Sequence, residues 1–364
     1  LYKGRLDDAV ATYRQGLDLS ARLGRAREEA QARCNMARPL AALGETEAAY
    51  EAYRSALAMF RDIDDRHAES VASGNFGSQL QMAGRYEEAE PRLRRCLELS
   101  RKIGYRYGEA NALGNLGVMH YSLGHLADAL DHLERAETLM TELAFVPQRL
   151  HVLDTLALVH SRLGHVARAR TLLEETRQGW EPLGATASVL AGTCWLAHVL
   201  SDAGDHTEAV ALLRRTLDTP GVADDEGDRR MIEGCLGASM LAAGLREEAL
   251  PHLERAAEGA DERDIEVIAS LAALGRGEAA AAEAMLDARG DEEECYTRMA
   301  AHLWLGRATG KAEHYARAHD LLQHLVRHAP EADRRDLVNR LPLYREIQAA
   351  WREHGGVART TSEN

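Results

Sequence analysis

Apolar residues recur at helical spacing along most of the chain, in paired segments separated by a glycine. Between residues 26 and 62 the first segment forms one apolar stripe. Gly44 then interrupts the pattern, because glycine enters the left-handed backbone region without a steric penalty. The first stripe consists of Ala32, Met36, Ala37, Leu40 and Leu43, and the second of Ala49, Tyr53, Ala56, Leu57 and Phe60. The pattern predicts two helices joined by a tight turn.

This helix–turn–helix unit repeats every 40 residues without slippage. One column holds the turn glycines Gly4, Gly44, Gly84, Gly124, Gly164, Gly204 and Gly244. A second column, five residues later, holds Ala9, Ala49, Ala89, Ala129, Ala169, Ala209 and Ala249. A repeat of this length is typical of solenoids, propellers and other arrays. The two columns therefore predict an all-α array in which small residues, such as Ala129, are buried where helices cross.

The repeat resembles the tetratricopeptide repeat (TPR). The shared pattern is a small residue, a glycine seven positions later, an alanine five further on and then a bulky residue, as in Ala37, Gly44, Ala49 and Tyr53. TPR units have about 34 residues, whereas this period is 40, which is similar to the extended repeats of kinesin light chains and bacterial signalling ATPases. The resemblance implies a TPR-like α-solenoid, a right-handed superhelix of helical hairpins. It says little about biochemical activity.

The same pattern predicts the organisation of the chain. First helices are expected near 27–43, 66–83, 106–123, 146–163, 187–203 and 229–243, and second helices near 46–62, 86–102, 126–142, 166–180, 206–217 and 246–258. Residues 1–258 form the regular array, with a truncated first repeat in which Gly4 is a turn and 6–22 a second helix. Degenerate hairpins follow over 259–330, near 262–288 and 292–328, and a capping helix over 331–354, which Pro342 kinks or splits. We expect 355–364 to be disordered.

Composition narrows the possible functions. The net charge is −14 with no long basic block, which disfavours nucleic acid as a partner. No apolar run is long enough to cross a membrane and no signal peptide is visible, so a cytoplasmic location is expected. The five cysteines lie far apart and are interpreted as small packing residues in a reducing compartment. No catalytic motif occurs, and the scattered histidines, including His120 and His160, are interpreted as packing residues. We expect no cofactor and no metal.

Binding is better supported by the sequence than catalysis. On each first helix one face lies beside the packing stripe, and in TPR proteins the first helices line the concave groove. Asn35, Asn75 and Asn115 repeat on this face, and an amide both donates and accepts hydrogen bonds. Such a column predicts pairing with the backbone of an extended peptide; the alternative is that each Asn ties neighbouring helices together. The other predicted groove residues are Gln31, Arg38, Gln81, Asn111, Tyr121, Asp154, Arg162 and His198.

The sequence leaves three hypotheses about function. The first is a non-enzymatic protein- or peptide-interaction module, the sensor or scaffold region of a larger bacterial signalling protein. The second is the C-terminal part of an enzyme, a Ser/Thr kinase or nucleotide-switched ATPase, whose catalytic domain lies upstream of Leu1; the segment from Leu341 to Glu346 is similar to the tail of such proteins. The third is a structural module for self-association.

Overall fold

The computed structural model describes residues 2–219, 225–257, 279–280, 283–284, 286 and 294–355. All regular secondary structure in these residues is helical. The first thirteen helices are α1 (Tyr2–Arg22), α2 (Ala26–Ala42), α3 (Thr46–Asp62), α4 (Arg66–Met82), α5 (Tyr86–Ile103), α6 (Arg106–Ser122), α7 (Leu126–Glu142), α8 (Val146–Arg162), α9 (Val166–Trp180), α10 (Thr186–Ala203), α11 (His206–Leu217), α12 (Glu226–Ala242) and α13 (Arg246–Ala257). A 3₁₀ turn, Glu181–Leu183, follows α9.

Shorter helices complete the C-terminal part of the chain. They are α14 (Cys295–Thr309), α15 (Ala312–Arg327), α16 (Glu331–Arg334), α17 (Leu337–Arg340) and α18 (Pro342–Ala350), followed by a π-helical turn, Trp351–Gly355. The predicted hairpin near 292–328 is present as α14 and α15. Most of the predicted hairpin near 262–288, and all but the first residue of the 355–364 tail, lie outside the described residues. None of the described helices is long and apolar enough to span a bilayer.

The chain divides into two compact units. One contains Leu1–Met119 together with Thr138–Leu143, and the other contains His120–Glu137 together with Ala144–Asn364. Inside the first unit, ion pairs join consecutive hairpins: Arg61 Nε donates to Glu69 Oε1 at 2.8 Å, and Arg101 Nε donates to Glu109 Oε1 at 2.8 Å. The predicted segment boundaries at 258 and 330 and the handedness of the superhelix stay predictions.

The predicted turn and packing columns are confirmed. Six column glycines have left-handed backbone angles, with φ of 84° at Gly44, 73° at Gly84, 76° at Gly124, 74° at Gly164, 95° at Gly204 and 80° at Gly244. The alanines five residues later are buried from Ala49 to Ala249, and Ala89 and Ala129 are 0% exposed. The predicted helix ends agree with the structure to within three residues, because a glycine in this conformation ends each first helix at a fixed place.

The structure contradicts one prediction at the start of the chain and agrees with one near its end. Gly4 was predicted to be a turn residue, but it lies inside α1, which begins at Tyr2. The segment 331–354, predicted as a capping helix that Pro342 kinks or splits, forms the short helices α16, α17 and α18, with a break directly before Pro342. Leu341 is extended, with φ −104° and ψ 142°, because the ring of Pro342 disfavours the helical conformation for the residue before it.

A second left-handed column lies between the repeats. It holds Gly24, Asp64, Gly104, Ala144 and Gly184, with φ between 51° and 70°. Asp64 and Ala144 carry a Cβ in a conformation that costs non-glycine residues roughly 1–2 kcal/mol. The repeat geometry therefore sets the backbone conformation of both turns, whichever residue is present.

The C-terminal helices of the second unit pack along the turns of its repeats. A methyl group placed on Gly164 would lie 2.5 Å from Arg340 Cβ, and one on Gly124 would lie 2.9 Å from Cys295 Sγ. The Arg340 guanidinium also donates to the Leu163 carbonyl at 2.9 Å, and the Tyr344 hydroxyl donates to the Arg162 carbonyl at 2.8 Å. A methyl group on Gly244 would meet nothing within 4 Å. The turns at Gly124 and Gly164 are thus covered by the C-terminal helices, whereas the equivalent turn at Gly244 is open.

This difference predicts unequal costs for two matched substitutions. Gly244→Ala should cost about 1–2 kcal/mol of unfolding free energy, because alanine is strained in the left-handed region. Gly164→Ala should cost a further 1–3 kcal/mol or so, because its methyl group also overpacks against Arg340. Chemical denaturation followed by circular dichroism measures both. Equal losses would show that the C-terminal segment does not pack on this turn.

Candidate functional site

In the first unit, the predicted binding residues lie on the first helices of successive hairpins. Asn35, Gln31 and Arg38 are exposed on α2, and Asn75 is exposed on α4. Asn111 and Asn115 on α6, and Gln81 at the end of α4, are half-buried. Gln31 Nε2 donates to Asn35 Oδ1 at 2.9 Å. The asparagines therefore share a repeat position, although their exposure falls from α2 to α6.

Local chemistry in this unit fits both interpretations of the asparagines. Pro39 has no N–H group, so it cannot donate to the Asn35 carbonyl four residues earlier, which leaves a main-chain acceptor beside the exposed amide. Asn75 instead interacts with the preceding hairpin. Burial raises the pKa of the Cys34 thiol to about 11, and a hydrogen bond with the Asn75 side chain opposes that rise.

In the second unit, three predicted residues line one cavity of about 430 Å³. Tyr121, Arg162 and His198 come from the ends of α6, α8 and α10. Helix α12 contributes small residues to the wall, and α14 and α18 close the opposite side. The cavity exists because the C-terminal helices pack over the repeat helices, a contact that the repeat pattern could not predict.

A charged cluster forms the floor of the cavity. The Arg162 side chain is 9% exposed, pairs with Asp202 through Nη1 and has its Nε 3.9 Å from Glu294 Oε1. Its guanidinium carbon lies 3.5 Å from the centre of the Tyr296 ring, and the Tyr296 hydroxyl donates to Asp202 Oδ1 at 2.7 Å. A buried charge is tolerated only when it is paired and hydrogen-bonded, so these partners hold Arg162 in one place.

Aromatic side chains and an ion pair form the walls and rim. Trp195 and Trp304 are half-buried in the cavity lining. Arg307 Nη2 donates to Glu346 Oε2 at 2.9 Å, and both side chains are about half exposed. The Arg307 guanidinium also lies 5.4 Å from the centre of the Trp304 ring. The cavity thus combines flat apolar surfaces with a small number of fixed charges, as binding pockets for small ligands do.

His198 was predicted from the sequence, but its partner was not. Cys235 Sγ lies 3.8 Å from His198 Nε2. Hydrogen bonds from Cys194 and then from His198 lower the pKa of the Cys235 thiol. The other four cysteines are buried and all five are free, in agreement with the packing interpretation for those four. The pair forms where α10 and α12, the first helices of consecutive hairpins, pack together, and only that contact could have revealed it.

Asp154, also predicted as a groove residue, does not line the cavity. It is 3% exposed, and the indole Nε1 of Trp180 on α9 donates to its Oδ2 at 3.4 Å. Its side chain therefore faces the second helix of its own hairpin. Burial raises the pKa of Asp154 to about 6, although hydrogen bonds with Thr176 and Trp180 oppose the rise.

Comparisons with known proteins agree with this architecture. Sequence profiles of the tetratricopeptide repeat match residues 68–142 and 155–224. No protein of curated function matches the sequence. Among solved structures, similarity extends to a Rap protein complexed with competence and sporulation factor, at 13% identity over 93% of this chain and 99% of that chain, with a TM-score of 0.57.

Two further similar structures contain peptides. The Rap conjugation gene regulator of the plasmid pLS20, in complex with the Phr* peptide, is 10% identical over 92% of this chain and 97% of that chain, with a TM-score of 0.57. NprR in complex with its cognate peptide NprX is 12% identical over 92% of this chain and 99% of that chain, with a TM-score of 0.50. At these identities the likeness concerns the fold.

The fold and the profile matches define the class. The chain is an all-α solenoid of helical hairpins. It contains tetratricopeptide repeats, matched over residues 68–142 and 155–224, as its repeated glycine and alanine columns predicted.

The buried Asp154 carboxyl predicts a pH-dependent stability. Its pKa of about 6 in the folded state lies above the usual aspartate value, so the folded state loses stability as pH rises from about 4 to about 6. Asp154→Asn removes the buried charge and should be more stable than the parent by up to roughly 3 kcal/mol at pH 7.5, with that advantage disappearing near pH 4. Urea denaturation at both pH values measures it. An advantage of the same size at both values would exclude titration of Asp154 as its cause.

Proposed function

We propose that this chain is a non-enzymatic peptide-binding module that acts as a sensor or scaffold in a larger signalling protein. The observation that carries the proposal is the cavity in the second unit, with its aromatic walls and charged floor. Its volume of about 430 Å³ lies in the range of ligand pockets, roughly 300–1,000 Å³. Two proteins of similar fold, the pLS20 regulator and NprR, are described with bound peptides, which supports the same class of ligand here.

The charges of the cavity favour a cationic group on the ligand. Three carboxylates, from Asp202, Glu294 and Glu346, face two guanidinium groups, from Arg162 and Arg307. Asp202 pairs with Arg162, and Glu346 with Arg307, whereas Glu294 lies 3.9 Å from Arg162 and accepts a hydrogen bond from the Thr297 hydroxyl at 3.1 Å. A lysine or arginine side chain, or a peptide amino terminus, would place its charge near Glu294 and its apolar part against Trp304. Cations over an indole face gain roughly 0.5–2 kcal/mol.

The first unit offers a second surface for peptide backbone. Asn35, Asn75 and Asn115 recur once per repeat, at roughly the 10 Å spacing of packed helices. An extended peptide advances about 3.3 Å per residue, so every third residue would meet an amide. Each such hydrogen bond should contribute about 0.5–1.5 kcal/mol. This face would bind peptide independently of sequence, whereas the cavity would select a side chain.

The test begins with a peptide library screened against the full chain, followed by calorimetry on the selected peptides. Glu294→Gln should weaken binding of a cationic peptide by about 10- to 100-fold, because hydrogen bonds to charged groups contribute roughly 1.5–3 kcal/mol. Glu208→Gln is the matched control, since Glu208 is exposed on α11 of the same unit and outside the cavity. Circular dichroism confirms that each variant is folded.

A separate variant tests the asparagine face. The triple change Asn35→Ala, Asn75→Ala, Asn115→Ala should weaken binding if these amides contact the ligand. If the triple variant binds as tightly as the parent while Glu294→Gln binds more weakly, the asparagines are structural and the cavity remains the site. If neither it nor Glu294→Gln changes affinity for any selected peptide, the peptide-binding proposal is wrong.

A further inference from the structure

Three histidines from distant parts of the chain meet in the second unit. His125 lies in the turn between α6 and α7, and His324 and His328 lie one helical turn apart at the end of α15 and just beyond it. Ring centroids are separated by 4.4 Å for His125 and His328, 5.3 Å for His125 and His324, and 4.2 Å for His324 and His328. One nitrogen from each ring lies within 4.8 Å of the other two.

The backbone sets the tautomers of two of these rings. His324 Nε2 donates to the Leu123 carbonyl at 2.9 Å, and His328 Nδ1 donates to the His324 carbonyl at 2.9 Å. Each ring therefore keeps its other nitrogen, Nδ1 of His324 and Nε2 of His328, as a lone-pair donor. Histidines that bind metals usually donate their second N–H in this way, which fixes the ring and makes the ligand more basic.

The third ring is placed by the repeat turn. Gly124, with φ of 76°, reverses the chain, and the His125 amide donates to the His120 carbonyl at 2.8 Å. The Ala127 amide donates to the His328 carbonyl at 2.8 Å, which fixes α15 against the same turn.

We propose that His125, His324 and His328 bind a divalent transition-metal ion, for which Zn²⁺ is the natural probe. Imidazole ligands suit zinc, copper and nickel, and do not suit magnesium or calcium, which prefer oxygen ligands. Tetrahedral zinc holds its nitrogen ligands at about 2.0–2.1 Å, which places them roughly 3.4 Å apart. The nitrogens, which lie within 4.8 Å of one another, need to approach by up to about 1.4 Å to reach this spacing. All three side chains are half-buried, so an ion can enter from solvent.

A metal at this place would join α15 to the repeat turn. A second group, His120, His125 and Asp128, shares His125 and lies beside the first. The two sets compete for one ring, so they describe alternative sites rather than two occupied ones. The hydrogen bonds from the His324 and His328 rings to backbone carbonyls favour the first set, because they orient the other nitrogen of each ring as a ligand.

Calorimetry of the untagged full chain with ZnCl₂ alone tests the proposal. The parent should bind one Zn²⁺ per chain and melt at a higher temperature with zinc than with a chelator. Co²⁺ in place of Zn²⁺ should give the intense visible absorption of low-coordinate cobalt. The double variant His125→Gln, His328→Gln should bind Zn²⁺ at least 100-fold more weakly and lose the zinc-dependent rise in melting temperature. His67→Gln, at an exposed histidine of the first unit, should match the parent.

A further variant tests the choice of ligands even if the double variant unfolds. His120→Gln leaves the three proposed ligands in place and should retain affinity within a few-fold of the parent. Loss of binding in His120→Gln would assign the ion to the alternative set and overturn the proposal. Absence of stoichiometric zinc binding by the parent, or equal binding by a folded double variant, would also overturn it.

Discussion

The left-handed turn that ends each first helix is the constraint on which the rest of the structure depends. Six glycines hold it at 40-residue intervals, with φ between 73° and 95°. The turn reverses the chain within two or three residues, so the second helix returns closely along the first. An alanine five residues after each turn glycine is buried, which allows the close crossing. Regular spacing of one backbone conformation thus generates the array.

The same turns position the chemistry of the second unit. Because Gly124 and Gly164 carry no side chain, Cys295 and Arg340 can lie against them, and the C-terminal helices pack there. That packing places Tyr296 over Arg162 and closes the cavity. It also places α15 beside the turn that carries His125. The proposed binding cavity and the histidine cluster are therefore both consequences of how the last helices pack on the turns.

The sequence predicted the features that follow the 40-residue repeat, and it missed the contacts made by the C-terminal helices outside that repeat. Helix ends from residue 26 to 257 followed from the glycine column, because each column glycine from Gly44 to Gly244 adopts the left-handed conformation that ends a helix. Helical spacing alone placed three of the cavity residues on the predicted binding face: Tyr121, Arg162 and His198. Tyr296, Glu294 and Trp304 were missed, since the repeat pattern fails after residue 258 and nothing local shows where α14 packs. The histidine cluster joins residues some 200 positions apart, so each histidine alone suggested packing.

Native-state hydrogen exchange of α18 tests the central claim most directly, because that helix closes the cavity only if it packs on the repeats. Tyr344 and Ile347 are 0% and 1% exposed, and Tyr344 is bonded to the end of α8. Amides near these residues should exchange as slowly as those in the middle of α8 and α10, opening together with them. Exchange of α18 as fast as that of exposed helix ends, while α8 and α10 stay protected, would contradict the account.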